Sequence, residues 1–495
     1  MSTLVSWPKW AFAVGHVLND LCASLWFTYL LVYFHFVLKF DNKLSGIILM
    51  IGQIADAIST PFVGLESDRD DGFYLCKYGR RKTWHLIGTL CVLGTMPFIF
   101  MKCINCENSS QSAQLLYYGA FVAIFQFGWA SVQISHLSLI PELASCQHER
   151  TGLNALRRSL NIRRYAFTVA SNVTVYVIAW ASFGIEANDS MSNGLIGPQN
   201  SGAFTKIVLI SLSIGAVFSI IFHVGVKEPP SLSQMDRAER EQSIKNRGFM
   251  KPGHWMQLSE FYKTAMLYMV TRLYVNITQV YIPLYLQDSL NLEARNLAIV
   301  PLVMYVSGFG SSFCIKWTNR RLGRKVSYLA GSAVGLVACG WIYLGEGEIY
   351  KHYWIYAVAV LAGMCSSTIL ITSLSITSDL IGENTESGAF VYGAMSFADK
   401  LSNGLVIVLI QSLHPCSDPF VLCDLYYRQV LGFACGVFLI LASLAVLLIQ
   451  SQSDQAGQVL PVPTRDYGAA EISAGPAVAV RSTNTQSSSF EDDSQ

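Results

Sequence analysis

Residues 43–65 read KLSGIILMIGQIADAISTPFVGL. A helix needs roughly 20 apolar residues to cross a hydrocarbon core about 30 Å thick, so this run is long enough, yet Asp56 stands near its middle. A carboxylate at the bilayer centre costs roughly 2.5 to 3.5 kcal/mol on insertion scales. Asp20 lies equally deep in the apolar run 10–38, and the adjacent pair Asp399 and Lys400 in 391–413. Several such charges imply a polar, water-accessible path between helices, which is what moving a solute across a membrane requires.

The rest of the chain agrees with a membrane protein. Of 495 residues, 52% are hydrophobic and 14% charged, against about 25% charged in ordinary soluble domains, which excludes an ordinary soluble enzyme. The net charge of +1 provides no basic field for nucleic acid. Twelve spans are expected, at 10–38, 43–65, 83–101, 115–140, 165–183, 204–226, 260–287, 296–317, 326–345, 352–377, 391–413 and 428–450. The first is too long for a cleaved signal. Arg69, Lys77, Arg80, Arg81 and Lys82 follow the second span, and Arg150, Arg157, Arg158, Arg163 and Arg164 follow the fourth, whereas the intervening loops hold little more than Lys102 and Arg295. The positive-inside rule then places both termini and the central linker in the cytosol. On the opposite side fall the glycosylation sequons at Asn108 and Asn188, and the pairs Cys103/Cys106 and Cys416/Cys423, as disulfides or free thiols. Cys103-x-x-Cys106 has no second pair or His at zinc spacing, so no metal is called for.

The polar segment between the sixth and seventh spans divides the chain into an N-terminal six-helix bundle (1–226), a cytosolic linker (227–256), a C-terminal six-helix bundle (257–450) and a polar, disordered tail (451–495). The halves echo each other. Gly79-Arg80-Arg81-Lys82 follows span 2 and Gly323-Arg324-Lys325 follows span 8; Ser138-Leu-Ile-Pro-Glu-Leu after span 4 corresponds to Ser375-Ile-Thr-Ser-Asp-Leu after span 10, with Glu149 and Glu386 equally far downstream. Parallel repeats of this kind surround a central site in alternating-access carriers. The expected fold is therefore all-α, twelve transmembrane helices in two bundles.

Helical spacing sorts the polar residues onto stripes. His16 and Asp20 share a face of span 1; Gln53, Asp56 and Thr60 one of span 2; Gln126, Gln133 and His136 one of span 4; Arg272, Asn276 and Gln279 one of span 7; and Tyr392, Ser396, Asp399 or Lys400, and Asn403 one of span 11. Such faces are expected to line one cavity, although a lone His or Gln between helices also serves as an ordinary interhelical hydrogen bond. The Ser and Thr run from Ser366 to Ser378 reads as close helix packing. A cavity carboxylate can couple transport to protons or another cation, and Asp56 with Lys400 is the candidate pair. Asp20 is the candidate for a substrate ammonium and Arg272 for a carboxylate, through a bidentate contact.

Gly64-Leu-Glu-Ser-Asp68-Arg69 followed by Gly79-Arg80-Arg81-Lys82 resembles the helix 2 to helix 3 signature of the major facilitator superfamily, with Asp68, Arg69, Arg80, Arg81 and, in the second half, Arg324 as gating residues. Asp56-Ala-Ile-Ser-Thr60-Pro61, Asn19-Asp20, Ser138-Leu-Ile-Pro141 and Lys400 resemble elements of melibiose permease and the glycoside and cation symporter branch. That resemblance implies a cation site at Asp56 and Lys400 and a substrate site at Asp20. Thr60 and Gln133 stand where the bacterial symporter has a second cation-site Asp and a sugar-binding Asp, which argues against sodium and sugar. Gly15-His-Val-Leu-Asn-Asp-Leu-Cys-Ala-Ser-Leu-Trp-Phe-Thr-Tyr29, Thr278-Gln-Val-Tyr-Ile-Pro-Leu-Tyr-Leu-Gln287 and Ser396-Phe-Ala-Asp-Lys-Leu-Ser-Asn-Gly404 resemble animal members of the superfamily. These imply a lysosomal and melanosomal carrier for cysteine, linked to pigmentation. Leu153-Asn-Ala-Leu-Arg-Arg158 is nearly repeated as Leu160-Asn-Ile-Arg-Arg164, an apparent insertion relative to those proteins.

The expected partners are thus a small-molecule substrate, the lipid bilayer and protons, with no nucleic acid and no cofactor. Rival readings are a symporter of another small organic solute and a non-transporting membrane adaptor. An enzyme is disfavoured, since no nucleophile and base stand at a recognisable spacing. The loop bias predicts that Asn108 or Asn188 carries glycan and that a sequon engineered within residues 231–250 stays unmodified; a glycosylated linker, seen as a glycosidase-sensitive mobility shift, reverses the orientation.

Overall fold

In lipid every backbone N–H and C=O must find its partner within the protein, so apolar runs of this length become helices. The computed structural model describes residues 7–68, 78–106, 108–145, 167–185, 194–226, 252–382, 388–415 and 424–449. Each expected span is helical: α1 Trp10–Val37, α2 Asn42–Asp68, α3 Arg80–Ile99, α4 Gln111–Ser145, α5 Phe167–Ile185, α6 Pro198–Gly225, α7 Ser259–Leu284, α8 Asn296–Arg321, α9 Arg324–Leu344, α10 Tyr350–Ile381, α11 Gly388–Ser412 and α12 Leu425–Leu448. Among the described residues, ten helices are long and apolar enough to cross a membrane. The other two, α3 and α7, match them in length but are more polar: α3 opens on Arg80-Arg81-Lys82, and α7 carries Arg272, Asn276 and Gln279. The long helices α4 and α10 overrun the expected limits because a helix, once nucleated, propagates at little cost beyond its apolar run.

The sequence echo between the halves is a structural repeat. Gly79 (φ 123°) and Gly323 (φ 84°) precede α3 and α9 in a backbone region that disfavours side chains. Arg81 donates to the Ser138 carbonyl of α4, and Arg324 donates to the Ser375 carbonyl of α10 at 3.1 Å. Lys82 caps the end of α6 through the His223 carbonyl at 3.0 Å, and Lys325 caps the end of α12 through the Ile449 carbonyl. Thr83 and Ser327 back-bond to the two glycines at 2.7 and 2.8 Å. Counted from the glycines, Thr83 and Ser327 stand at the same position, whereas Arg81 and Lys82 stand one residue later than Arg324 and Lys325 yet reach corresponding carbonyls. Arg324 also pairs with Asp379. Asp68 closes α2; Arg69, Glu149, Glu386, residues 227–251 of the linker, the repeat at 153–164, Asn188, Cys416, Cys423 and the tail lie outside the described residues.

Helices meet closely where small residues permit it. A Cβ on Gly88 of α3 would meet the Gly128 carbonyl of α4 at 2.6 Å, and one on Gly363 of α10 would strike the Met304 carbonyl of α8. Helices α2 and α11 pack through Gly46 against Gln411 and through Gly404 against Gln53 and Met50. The most enclosed of the apolar spans, α1, contains π-helical turns at Leu25–Tyr29 and Tyr33–Val37; its counterpart α7 ends in another at Tyr285–Ser289, after Pro283 has removed one backbone donor.

Away from the basic loops the halves are tied together by backbone acceptors. Gln287 donates to the Ile196 carbonyl at 2.8 Å, the Ala294 N–H to Gly194 at 2.8 Å, and Arg295 to Gly184 at 3.0 Å. Cys103 and Cys106 form a disulfide in the α3–α4 loop, where Asn108 is exposed. The tight α8–α10 crossing yields a stability prediction. Gly363→Ala is expected to cost about 1–3 kcal/mol by overpacking, seen as a lowered unfolding midpoint of the detergent-purified protein, whereas Gly436→Ala, which meets open space, leaves it unchanged.

Candidate functional site

The polar stripes converge. A cavity of about 450 Å³ is lined from the first half by Asp20, Gln53, Asp56, Gln126 and Gln133, and from the second by Arg272, Asn276, Gln279, Ser396, Asp399 and Lys400. Its volume falls within the range of roughly 300–1,000 Å³ typical of small-ligand sites. Trp26, Phe27, Trp129, Tyr268 and Tyr305 supply its aromatic wall.

Three carboxylates are held in three different ways. Asp56 of α2 faces Lys400 of α11 at 2.7 Å, and Thr60 lies between them, accepting from Lys400 at 2.8 Å and donating to Asp56 at 3.1 Å. This pair crosses from one half to the other. Asp399 is 3% exposed; it accepts from Arg272 Nε at 3.1 Å and from the Asn403 amide at 2.6 Å, all within the second half. Only Nε of that guanidinium meets a protein acceptor among the described residues, so its two terminal nitrogens remain for the cavity. Asp20 of α1 accepts from Thr168 of α5 at 2.8 Å through Oδ2 and contacts His16 Nδ1 at 2.9 Å through Oδ1. Asp20, Asp56 and Asp399 thus face two permanent cations, Arg272 and Lys400, leaving one negative charge without a permanent counter-charge.

Some stripe members turn elsewhere. His136 is buried against α1, where its Nε2 meets the Phe12 carbonyl at 2.8 Å and its ring stacks on Phe12. Its helix is rotated so that Gln133, one turn earlier, reaches the cavity and accepts from Trp129 Nε1 at 2.9 Å. His16 stands behind Asp20, and Asn403 behind Asp399. Tyr392 packs with Tyr268 and Val391 in an apolar cluster. Of the Ser and Thr run, Ser366 and Ser367 reach the cavity, whereas Ser373 and Thr377 bond to their own helix backbone. Sequence reasoning missed Thr168 and Asn172, a polar i, i+4 pair within an apolar span. It also missed Tyr305 and the other aromatic lining residues, which resemble ordinary core. Arg80, Arg81 and Arg324 stand in the first turns of α3 and α9, apart from the cavity lining.

The profile of the MFS/sugar transport protein family matches residues 11–413. The chain is 44% identical over 456 residues to major facilitator superfamily domain-containing protein 12 of Mus musculus, spanning 90% of this chain and 93% of that protein. It is 46% identical over 430 residues to the Homo sapiens protein of the same name, spanning 83% and 86%. Its fold is similar to the crystal structure of a D-xylose-proton symporter, with a TM-score of 0.64 at 14% identity over 91% of this chain and 98% of that one.

The pair across the halves generates a prediction. Removing one partner of a buried ion pair strands the other charge, at a cost of about 3–5 kcal/mol. Lys400→Met is expected to lower the unfolding midpoint of the purified protein sharply, and Asp56→Asn combined with Lys400→Met to restore most of it; equal midpoints for parent and single variant show that Asp56 has another partner.

Proposed function

We propose that this chain, a membrane transporter that belongs to the MFS/sugar transport family of the major facilitator superfamily, moves the zwitterion cysteine from the cytosol into the lumen of lysosomes and melanosomes by alternating access. The observation that carries this reading is the charge layout of the cavity. A zwitterion entering a partly desolvated site needs a partner for each charge, because unpaired buried charge is costly. Asp20, with no permanent counter-charge, takes the ammonium. The terminal nitrogens of Arg272, oriented by Asp399 behind them, take the carboxylate as a fork that Lys reproduces poorly. Asp20, Arg272 and Tyr305 line the same cavity, which supports this reading. The thiol then packs on the aromatic wall, a contact favourable by about 0.3–1.5 kcal/mol. Gln133 and Asn276 add polar contacts.

Transport follows from rocking of the bundles 1–226 and 257–450 about this site, with the linker and both termini in the cytosol. The contacts of Gln287, Ala294 and Arg295 join the halves on the side that this reading takes as lumenal. Asp56 and Lys400 tie α2 to α11; rocking that parts them leaves Asp56 needing a proton or another cation, which couples conformation to charge. Arg81 and Arg324, through the Ser138 and Ser375 carbonyls, brace the ends read here as cytosolic. Asn108 and Asn188 then face the lumen.

Labelled L-cysteine uptake into organelles with and without the chain tests the substrate. Arg272→Lys and Asp20→Asn are each expected to weaken binding by tenfold or more while the protein still reaches its membrane. Cysteamine, which lacks the carboxylate, is expected to bind more weakly than cysteine and to be indifferent to Arg272→Lys; if it competes as well as cysteine in the parent protein, Arg272 is structural.

A further inference from the structure

The negative charge left over in the cavity sits on Asp20, and the side chain touching that carboxylate most directly from behind is an imidazole. We propose that His16 and Asp20 form a proton-or-ammonium site, in which a proton on His16 and the cationic amine of the substrate are alternative partners of the same carboxylate. Amine binding then expels the proton to solvent, making the exchange an antiport at this site. This rests on the reading of the substrate as an amine and goes beyond the Asp56–Lys400 latch, which involves no contact with His16.

The geometry fixes which nitrogen titrates. His16 Nδ1 lies 2.9 Å from Asp20 Oδ1; since a carboxylate only accepts, Nδ1 carries hydrogen in both the neutral and the charged ring. The second proton therefore comes and goes at Nε2. That nitrogen has no protein partner among the described residues, and the side chain is 15% exposed, so water reaches it. Imidazole is the side chain whose charge changes across the physiological pH range. Neutral His16 leaves Asp20 a carboxylate with acceptor capacity toward the cavity, beyond the two bonds from His16 and Thr168. Charged His16 cancels the excess charge and opposes a second cation on the same group.

The groups packed around the pair permit this exchange. From α4, the His136 ring lies 5.5 Å from that of His16 and gives its Nε2 to the Phe12 carbonyl at 2.8 Å. From α3, His85 lies within electrostatic reach of His16; its Nε2 meets the Gly15 carbonyl at 3.1 Å and its Nδ1 meets His223 of α6. From α5, Thr168 is a neutral donor to Asp20, and from α8 the Tyr305 phenol lies within reach of it; Cys22 is its neighbour on α1. The fixed cations of the cavity, Arg272 and Lys400, are matched by Asp399 and Asp56. On this proposal amine binding is favoured on a near-neutral side of the membrane and release on a more acidic one.

The test measures L-cysteine binding to the full-length protein in detergent between pH 5.5 and 7.5, where cysteine itself remains a zwitterion. The expected result is an affinity that strengthens toward neutral pH, by about five- to tenfold per unit on the acid side, with about one proton released per ligand. His16→Gln, or His16→Asn should it fold better, is expected to lose both the slope and the proton release; a variant that keeps them overturns the proposal. A second measurement needs no ligand. In protein with ¹⁵N-labelled histidine, the signal that His16→Gln removes is expected to change from imidazolium at pH 5.5 to a neutral ring with unprotonated Nε2 at pH 7.5. In Asp20→Asn that protonation is expected to weaken. A His16 that stays neutral throughout refutes the proton site, whereas failure of L-cysteine to bind at any pH refutes the substrate reading alone.

Discussion

A charge inside a membrane protein must be answered by another group, and the centre of this molecule is arranged around three carboxylates that solve the problem differently. Asp399 is answered permanently: Arg272 and Asn403 belong to the same half and hold it from two directions. Asp56 is answered across the divide by Lys400, with Thr60 relaying between them. Asp20 is answered by neutral donors and a titratable ring. Desolvation makes each unmatched state expensive, so the three arrangements differ in what can change. The first lies within one half, the second joins the two halves, and the third lacks a permanent counter-charge.

The scaffold that presents these groups is a duplicated one, and its clearest sign is chemical. Two glycines in the left-handed region, followed by an Arg that reaches the end of the fourth helix of its half and a Lys that caps the sixth, recur with the same acceptors in both halves. Helix C-termini expose carbonyls that nothing in the helix satisfies, and a basic side chain there provides both hydrogen bonds and favourable interaction with the dipole. These basic residues thus join three helices of each half at one end.

Much of this was legible in the sequence because intramembrane polarity is so strongly constrained. The stripes through Asp20, Asp56, Arg272 and Lys400 were visible from helical spacing alone, and they do share a cavity. Spacing leaves rotation undetermined by a fraction of a turn, which is why His136 belongs to the packing of α1 while Gln133, three residues earlier, belongs to the cavity. Partnership was less legible still. Lys400 and Asp399 are neighbours in sequence, but on a helix adjacent side chains point about 100° apart, and they pair with different helices. Thr168, Asn172 and the aromatic wall escaped notice because single polar residues and rings in an apolar span look like ordinary packing.

The division of charge between the halves has a mechanical consequence. The first half presents Asp20 and Asp56 to the cavity, and the second presents Arg272 and Lys400 with Asp399, so the faces attract one another across a low-dielectric gap, where Coulomb interactions are strong. In the proposed function a zwitterion between Asp20 and Arg272 adds no net charge but provides contacts to both faces at once, drawing them together around itself. In the proposed exchange, a proton taken up in its place cancels charge on the first half alone and adds no contact to the second. On that proposal ligand and proton act on the same excess charge with different mechanical effects: the ligand bridges the halves, whereas the proton relieves the attraction between them.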